Sequence, residues 1–572
     1  MARRRPALVA AGAVYLALAV ALFGHAWADP VHRWVGAPQD APLFIWDMRW
    51  WPWAIGHGHN PLFSHFLNVP HGVNLTWVTS VPALSLAFAP FTLTAGPVFA
   101  YDAAATLALA GSAFAAFVVL RRVVVDARAA FAGGLLFGFS PFMIAQSLGH
   151  LMVTAAALLP VTAGVLAEAL VLQRRPAWQS GLALGLLVAL QYYAGEEMLA
   201  ILIISAVVGV ACLALVARAE VARRWRHGLR AVLIAAAFAL AATGPALAFQ
   251  LAGPGALHGP IQPPDRFVAD ATSFVVPTPV QSLRPFHALK VSSRYSAAGA
   301  EYDAYLGLPL LMFMAWAVAA ERRRRWVAAA GLASVVIALL ALGPHLHIDG
   351  RRTSLPLPWA VVGRTPLLDS LLPVRLMVAV DFLAGALLAV GLDRLLRLRR
   401  RGATMAASAT AAAVALTLWP ALPFASTDAR VPAFFRTAAV QAIPAGTVAL
   451  VAPYAEPATS QVLGWQAASG FRFAMLGGTF PVPDPRGRPE FVGDDNAAWR
   501  VIRLLEQGQQ PNPADPDVPN LMKKIGIDSI LVGPMVHEDR AVAYFTAMVG
   551  RPPTYQGGIY RWTGVLTDLA RR

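Results

Sequence analysis

The chain has 572 residues, of which 57% are hydrophobic and only 13% are charged, and its mean hydropathy is +0.56. Soluble domains carry roughly 25% charged residues, so this composition excludes an ordinary soluble protein and indicates a polytopic membrane protein. The formal net charge of +15 does not indicate a nucleic-acid partner, because the arginines are concentrated in short clusters between apolar runs.

The N-terminal region predicts one membrane span followed by a large outer loop. Arg3–Arg5 precede the apolar run Pro6–Trp27, which is long enough to cross a bilayer and places the N-terminus in the cytoplasm. The loop covers residues 28–79. The next apolar piece, Pro82–Pro97, contains three prolines and a glycine and is predicted to lie in the interface or to re-enter the membrane.

Regular alternation of apolar runs and arginine clusters follows as far as about residue 423. Short cytoplasmic loops collect Lys and Arg, and placing every cluster on that side gives about eleven spans. The predicted fold is therefore an all-α polytopic membrane domain over residues 1–427, in the cytoplasmic (plasma) membrane. Most of the titratable groups outside the arginine clusters then face the outer side, as an extracytoplasmic site requires.

The tail, residues 428–572, has a different sequence pattern from the long apolar runs that precede it. Two β-branched runs bounded by glycine and proline, Gly446–Tyr454 and Ile525–Pro534, are typical of buried strands, and Asn496–Gln507 and Asp539–Val549 favour helices. The prediction is a small extracytoplasmic α/β domain. It lacks a glycine-rich phosphate-binding motif, which argues against a nucleotide enzyme.

The most distinctive stretch is the outer loop from Asp40 to Thr79, which is rich in tryptophan and histidine. Asp40 and Asp47 stand seven residues apart beside Trp46 and Trp50. A carboxylate partly desolvated by indole rings has the raised basicity of a general base, and the rings themselves suit stacking on sugars. Alternatively, the two acids cap a short interfacial helix that starts near Pro42. Both interpretations stay open.

The plan of the chain resembles the GT-C membrane glycosyltransferases: a first span, an outer loop with an acidic residue and an aromatic interfacial helix, many further spans and an outer domain. The local pattern lies between Gln39-Asp40 and Asn60-Pro61, with Asp40, Phe44 and Trp46 forming Asp-x-x-x-Phe-x-Trp. The resemblance implies that Asp40 is the catalytic base, with Asp47 as second choice. It also implies a polyprenyl-phosphate-linked sugar as donor.

Further polar groups occupy the predicted outer turns. The adjacent carboxylates Glu196 and Glu197 are costly at membrane depth, so they are expected to bind a divalent ion, position the acceptor or pair with Arg375. Arg375 opens a late span from outside, where its planar donors suit a lipid phosphate; snorkelling to lipid head groups is the alternative. The full set predicted to bind substrate is Trp46, Arg49, Trp50, His59, Asn60, Gln146, His150, Gln191, Tyr192, Glu196, Glu197, Tyr302 and Arg375.

No cofactor is expected to be required. The single Cys212 excludes a thiolate zinc site, and the loop histidines lack further ligands at zinc spacing. If the enzyme uses a divalent cation such as Mg or Mn, its ligands would be Asp40, Asp47 and Glu197.

The predicted function is transfer of a hexosyl or pentosyl group from a lipid-phosphate donor to a glycan, lipid or protein acceptor on the outer face of the membrane. Two alternatives remain: a transporter or flippase for a polar lipid or glycan, and a non-catalytic membrane protein of envelope assembly. Transporters tend to carry internal repeats, and the sequence shows none.

Overall fold

The computed structural model describes residues 5–491 and 496–571 and is mainly helical. Arg3 and Arg4, on which the predicted orientation of the first span partly depends, lie outside the described residues. The chain forms two compact units. We call them the helical unit (residues 5–28, 102–245 and 262–426) and the sheet unit (residues 29–101, 246–261 and 427–571, without 492–495).

The helical unit is built from apolar helices rich in Ala, Leu and Val. Two of the helices, Pro97–Leu120 and Arg218–Ala252, begin or end in the sheet unit. The α-helices of at least six residues that lie in this unit or enter it are Arg5–Leu22, Pro97–Leu120, Ala127–Gly138, Pro141–Gln146, Leu158–Ala167, Ala177–Ala194, Glu196–Val216, Arg218–Ala252, Phe286–Ser292, Leu308–Ala320, Arg325–Ala341, Met377–Arg397 and Arg401–Leu418. A hairpin of two strands, His345–Ile348 and Arg351–Pro356, also belongs to the unit.

Among the described residues, six helical segments are long and apolar enough to cross a membrane: Pro97–Leu120, Ala127–Gln146, Leu151–Leu172, Glu196–Val216, Arg218–Ala252 and Pro373–Arg397. Three shorter apolar helices are Pro6–Leu22, Leu308–Ala320 and Arg325–Ala341. The apolar runs from which about eleven spans were predicted all contain helical backbone. The count of eleven crossings stays a prediction, because several of these helices are short for a bilayer.

The helix Met377–Arg397 forms the centre of the helical unit, and 94% of the most apolar window of Pro373–Arg397 is buried. It packs against the helix Ala127–Gly138 at a point where both carry glycine. A Cβ atom on Gly133 would lie 2.4 Å from the carbonyl oxygen of Gly385, so the two backbones touch directly. This close packing fixes the start of the helix, which the turn Pro373–Leu376 precedes.

The sheet unit contains a five-stranded mixed sheet. In spatial order the strands are Thr554–Gln556, Ile559–Thr563, Ile527–Val532, Thr447–Ala452 and Phe473–Met475. The last three run parallel, and Ile530 pairs with Leu450, whereas the first two are antiparallel to their neighbours. The same unit contains the helices Val462–Ala468, Ala497–Glu506, Asp517–Ile525 and Glu538–Val549. The strands and helices predicted in the tail coincide with elements of this sheet and its helices.

The sheet unit also includes the large loop that the sequence-based division assigned to residues 1–427. Its helix Ala41–Gly56 packs against the helix Val462–Ala468, and its tryptophans enter the same hydrophobic core as Phe471 and Phe480. Residues 29–101 therefore fold with residues 427–571, because burying several indole rings requires a partner surface.

The segment predicted to lie in the interface or to re-enter the membrane consists of two short helices, Pro82–Ala87 and Ala89–Ala95. Pro82 and Pro90 stand in the first turns, where a missing N–H costs nothing, and Gly96 breaks the second helix before Pro97–Leu120 begins. Three further pairs of short strands lie wholly or mainly in the sheet unit: Arg33–Val35 with Ser426–Asp428, Phe63–Ser64 with Val73–Asn74, and Val482–Pro483 with Pro489–Glu490.

Candidate functional site

A cluster of six polar side chains lies in the interior of the helical unit. Its members stand at helix ends or in the loops between helices, so four separate parts of the chain converge. We call it the Arg375 cluster, and it consists of Gln146, His150, Glu197, Glu301, Asp303 and Arg375. Titratable groups are stable at such depth only when they pair with one another.

Arg375 is the hub of the cluster and is 5% exposed. Its Nη2 and Nε donate to the two carboxylate oxygens of Glu301, at 2.5 Å and 3.2 Å, and its Nη1 donates to Glu197. The backbone N–H of Leu372 donates to the other oxygen of Glu197 at 3.3 Å. The planar guanidinium thus binds two carboxylates with defined geometry. The alternative in which Glu197 pairs with Arg375 is the one present in the structure.

Gln146 connects the carboxylates to His150. Its Nε2 donates to Glu301 at 2.8 Å and to Asp303 at 2.7 Å, and its Oε1 accepts from Nδ1 of His150 at 2.6 Å. The Glu301 carboxylate can only accept from the amide nitrogen, so the amide orientation is fixed, and Oε1 requires the proton on Nδ1 of His150.

The pKa values of two of the three acids of the cluster, Glu301 and Asp303, shift in opposite directions. Burial would raise the pKa of Glu301, but the charges of Arg375 and His150 outweigh it and hold the pKa below its usual value. Burial, reinforced by the neighbouring Glu301 carboxylate, raises the pKa of Asp303 well above its usual value. Asp303 therefore holds a proton more strongly than Glu301 does.

A narrow cavity adjoins the cluster. Glu301, Asp303 and Tyr302 line it, together with Asp270 and Tyr295. The Oδ1 atom of Asp303 is buried and has no hydrogen-bond partner among the described residues. One polar atom of the cluster is thus available to a small polar ligand.

A larger, apolar cavity of about 290 Å³ lies between four helices of the same unit. Its walls come from Leu151–Leu172, Glu196–Val216, Arg325–Ala341 and Pro373–Arg397, and the lining includes Leu202 and Ala379. Ala379 follows Arg375 by four residues and Leu202 follows Glu197 by five, which is about one turn and a half of helix at most. The apolar cavity therefore reaches the vicinity of the charged cluster.

The two predicted catalytic acids belong to the sheet unit and differ in accessibility. Asp40 directly precedes the helix Ala41–Gly56, is partly exposed, and makes no side-chain capping hydrogen bond. Asp47 is 1% exposed, and neither of its carboxyl oxygens has a hydrogen-bond partner among the described residues. Burial raises the pKa of Asp47 well above its usual value. Of the two acids, Asp40 is the accessible one.

Trp46 and Trp50, predicted to stack on sugar rings, are instead buried in the core of the sheet unit. Their rings stack on each other with centroids 5.1 Å apart. The Trp46 N–H donates to Gln466 at 2.7 Å, and the Trp50 N–H donates to the carbonyl of Pro61 at 3.0 Å. This correction has a simple cause, since a helix rich in tryptophan gains more from a protein core than from an exposed face.

The remaining loop residues have simpler roles. The ring of His59 stacks on Trp53 at 5.0 Å, and Asn60 Oδ1 accepts from the N–H of Leu62 within its own turn. Arg49 is half-buried and forms no hydrogen bond or ion pair with any described residue, and burial lowers its pKa.

Four other predicted ligands flank the cluster in sequence. Gln191 Nε2 donates to the carbonyl of Gly195 at 3.3 Å, Tyr192 is buried next to it, and Glu196 begins the helix Glu196–Val216. Tyr302 donates its hydroxyl to the carbonyl of Ser292 at 3.4 Å and borders the narrow cavity. These side chains shape the surroundings of the cluster.

Sequence reasoning did not place Glu301 and Asp303 among the site residues, although they are central. The available signal was the Glu-Tyr-Asp triplet that stands shortly before the apolar helix Leu308–Ala320. Acids at the entrance of a membrane helix indicate a partner, and the partner here is Arg375. Among the described residues, no group of three or more His, Cys, Asp or Glu is arranged to hold a metal ion.

Comparison with solved structures gives the fold. The arabinofuranosyltransferase AftD from Mycobacteria matches over 98% of this chain with a TM-score of 0.53 and 15% identity, and this chain spans only 40% of AftD. The oligosaccharyltransferase AglB from Archaeoglobus fulgidus matches with TM-scores of 0.48 and 0.47, at 11% and 12% identity, over 95% and 98% of this chain and 71% and 72% of AglB. The predicted resemblance to the GT-C type is confirmed for the fold.

Comparison with curated protein sequences finds no match. A family model described as "Domain of unknown function (DUF6311)" matches residues 12–370, which is more than half of the chain. The chain therefore belongs to the DUF6311 family.

Proposed function

We propose that this membrane protein transfers a sugar from a polyprenyl-phosphate donor to a glycan, lipid or protein acceptor on the outer face of the plasma membrane. The observation that carries the proposal is the apolar cavity of the helical unit, whose wall residues Ala379 and Leu202 stand four and five positions after Arg375 and Glu197 on the same helical segments. A donor of this class joins a hydrocarbon chain to a charged phosphate, and the two neighbouring environments match these two parts.

The cavity has the size and polarity for part of an isoprenoid chain. An apolar cavity of roughly 150 Å³ holds benzene, so about 290 Å³ accommodates on the order of two isoprene units. Its walls come from membrane helices, which a lipid can reach from within the bilayer. Moving such a chain from the bilayer into the cavity adds packing contacts but gains little hydrophobic free energy, because both environments are apolar. Selectivity for the donor must therefore come from its charged end.

Arg375 gives that selectivity by exchange of partners. Its guanidinium does not stand open for a phosphate, as the sequence suggested, because Glu197 and Glu301 occupy it. Glu197 is the carboxylate that can leave, since its side chain is 14% exposed and it binds a single guanidinium nitrogen. Glu301 is 5% exposed and is held through two. In the proposed complex the donor phosphate replaces Glu197 on Nη1.

Asp40 is the proposed general base. It takes the proton from an acceptor hydroxyl, the hydroxyl oxygen forms a bond to the anomeric carbon, and the bond from that carbon to the phosphate oxygen breaks, with the electron pair leaving on the lipid phosphate. The partial exposure of Asp40 supports this assignment over Asp47, which is buried. The proposal contains no metal-dependent step; Mg or Mn stays an optional ligand.

The fold adds general support. AftD, which shares the fold, is named as an arabinofuranosyltransferase, and a glycosyltransferase activity is therefore proposed for this chain as well. This chain spans 40% of AftD, and the two sequences are 15% identical where they match, so the sugar is left open between hexose and pentose.

The experiment uses the full chain reconstituted in nanodiscs with radiolabelled polyprenyl-phosphate sugars and a membrane extract as acceptor source. We expect sugar transfer by the natural protein and a loss of about a hundredfold or more in Asp40→Asn. Asp29→Asn is the matched control, because Asp29 is an exposed carboxylate of the same unit that binds His32. Undiminished transfer by Asp40→Asn would remove Asp40 from the mechanism. Movement of the intact sugar-lipid between leaflets of liposomes without transfer would establish the transporter instead.

A further inference from the structure

A second cavity, of about 160 Å³, lies entirely within the sheet unit. We propose that it binds an anionic membrane lipid, with hydrocarbon between its apolar walls and the phosphate of the head group on Arg436 and Arg49. This site is separate from the cavity of the helical unit and from the donor site proposed there. Its wall residues used below are Trp34, Pro42, Ile45, Val98, Arg436 and Gly464.

The cavity stands where a membrane helix begins. The four consecutive residues 95–98 line it, and they form the turn from the short helix Ala89–Ala95 into the candidate span Pro97–Leu120. The end of a membrane-spanning helix lies at head-group depth. Trp34, whose indole N–H donates to the carbonyl of Ala37 at 3.2 Å, adds the aromatic ring that is typical of this depth. Membrane lipids are the most abundant amphiphilic molecules at this depth, so a lipid is the ligand expected in the cavity.

The walls are almost wholly apolar. Arg436 is the one charged residue among the described residues that line the cavity, and Gln461 is the one side-chain amide. A cavity of roughly 150 Å³ holds a ligand of about six carbon atoms, so this one admits a short length of acyl chain. A free phosphate ion would leave these apolar walls without a hydrocarbon partner.

Two arginines, one that lines the cavity and one on the helix Ala41–Gly56 that contributes to its wall, form no ion pair with a described residue. Arg436 is exposed and donates Nη2 to the carbonyl of Val431 at 2.7 Å, and it forms no ion pair with a described residue. Arg49 follows the wall residues Pro42 and Ile45 at helical spacing, three and then four residues on, so it lies on the same face of the helix Ala41–Gly56.

Arg49 has a greater need of a bound anion than Arg436 does. It is half-buried, and within the described part of the chain no side chain or backbone group accepts a hydrogen bond from it. A partly desolvated guanidinium without a partner is unfavourable, and a phosphate oxygen is the acceptor that its planar donors fit best. Apolar walls with two unmatched cations at head-group depth thus describe the binding site of a phosphate-headed lipid.

The test counts bound lipid by native mass spectrometry on the purified full chain, with phosphatidylglycerol as the probe. Gly464→Leu fills the cavity: a Cβ atom at Gly464 would meet only Val431 Cγ2, at 3.6 Å, so the larger side chain has room. We expect the natural protein to retain one phosphatidylglycerol molecule more than this variant. Gly402→Leu is the control, because Gly402 is exposed on a helix of the other unit and has nothing within 4 Å.

The head-group assignment is tested without altering the apolar walls. The double substitution Arg49→Gln with Arg436→Gln should weaken phosphatidylglycerol binding about tenfold or more, whereas the exposed Arg486→Gln should not. Phosphatidylcholine should bind more weakly than phosphatidylglycerol, and excess inorganic phosphate should not displace the lipid. Equal lipid retention by the natural protein and both the cavity and arginine variants would overturn the proposal, as would displacement by inorganic phosphate.

Discussion

Arg375 and Glu301 form a two-point ion pair in the interior of the helical unit, with Nη2 to Oε1 at 2.5 Å and Nε to Oε2 at 3.2 Å, and both side chains are at most 6% exposed. The pair is held on one side by Gln146 and on the other by the turn before the most buried membrane helix. A lysine cannot reproduce the two parallel bonds, because its ammonium is a point donor.

Arg375→Lys should destabilise the protein. Removing a buried partner leaves Glu301 partly unpaired, which costs about 3 to 5 kcal/mol when a buried pair is fully broken and somewhat less when a cation remains. Thermal unfolding in detergent should show a lowered Tm for Arg375→Lys and no change for Arg364→Lys, whose side chain is exposed. An unchanged Tm in the first variant would mean that the pair contributes nothing to the fold.

Asp303 should make stability fall as pH rises. Its pKa is raised in the folded state, so the folded chain holds the proton over a range in which the unfolded chain, with a carboxyl pKa of about 3.9, has lost it. The stabilisation is complete below that value and is lost as pH rises towards the folded pKa. Asp303→Asn should therefore flatten the decline of Tm as pH rises above about 4, and the exposed Asp539→Asn should not. Parallel Tm curves for natural protein and Asp303→Asn would contradict the assignment.

Asp47→Leu should stabilise the sheet unit. Both carboxyl oxygens are buried and lack partners among the described residues, and an unsatisfied buried polar group costs about 1 to 3 kcal/mol. We expect a higher Tm by differential scanning fluorimetry and, since Asp47 is not the proposed base, preserved sugar transfer. A lowered Tm would show that Asp47 has a stabilising partner, and loss of transfer at normal Tm would return it to the mechanism.

Gly209→Leu should weaken donor binding. Gly209 lines the apolar cavity of the helical unit, and a Cβ atom there would meet no atom within 4 Å, so leucine projects into free space. Leucine also favours the helix over glycine by about 1 kcal/mol, so the fold is not at risk. The KM for a polyprenyl-phosphate sugar should rise severalfold with little change in kcat. Gly402→Leu, on an exposed position, is the control, and an equal rise in both variants would refute the cavity as the donor site.

The class of protein and most of its helices could be predicted from the amino-acid sequence. Apolar runs of bilayer length separated by arginine clusters identify membrane helices because backbone polar groups must be satisfied within the helix, and the candidate spans Pro97–Leu120 and Pro373–Arg397 overlap two such runs. The strands at 447–452 and 527–532 were recognisable for a related reason, since buried parallel strands are continuous β-branched runs.

Which polar groups meet and which aromatic rings are buried follows from the folded structure and not from local sequence. Arg375 and Glu301 are 74 residues apart in sequence and Arg375 and Glu197 are 178 apart, and no local pattern encodes such pairings. The sequence around Trp46 is the same whether its ring faces solvent or a core. The hydrogen bond from its indole N–H to Gln466, 420 residues away, shows that the ring lies in the core. Hydrophobic periodicity is a property of neighbouring residues, whereas burial and ion pairing depend on chain segments that come together only in the folded protein.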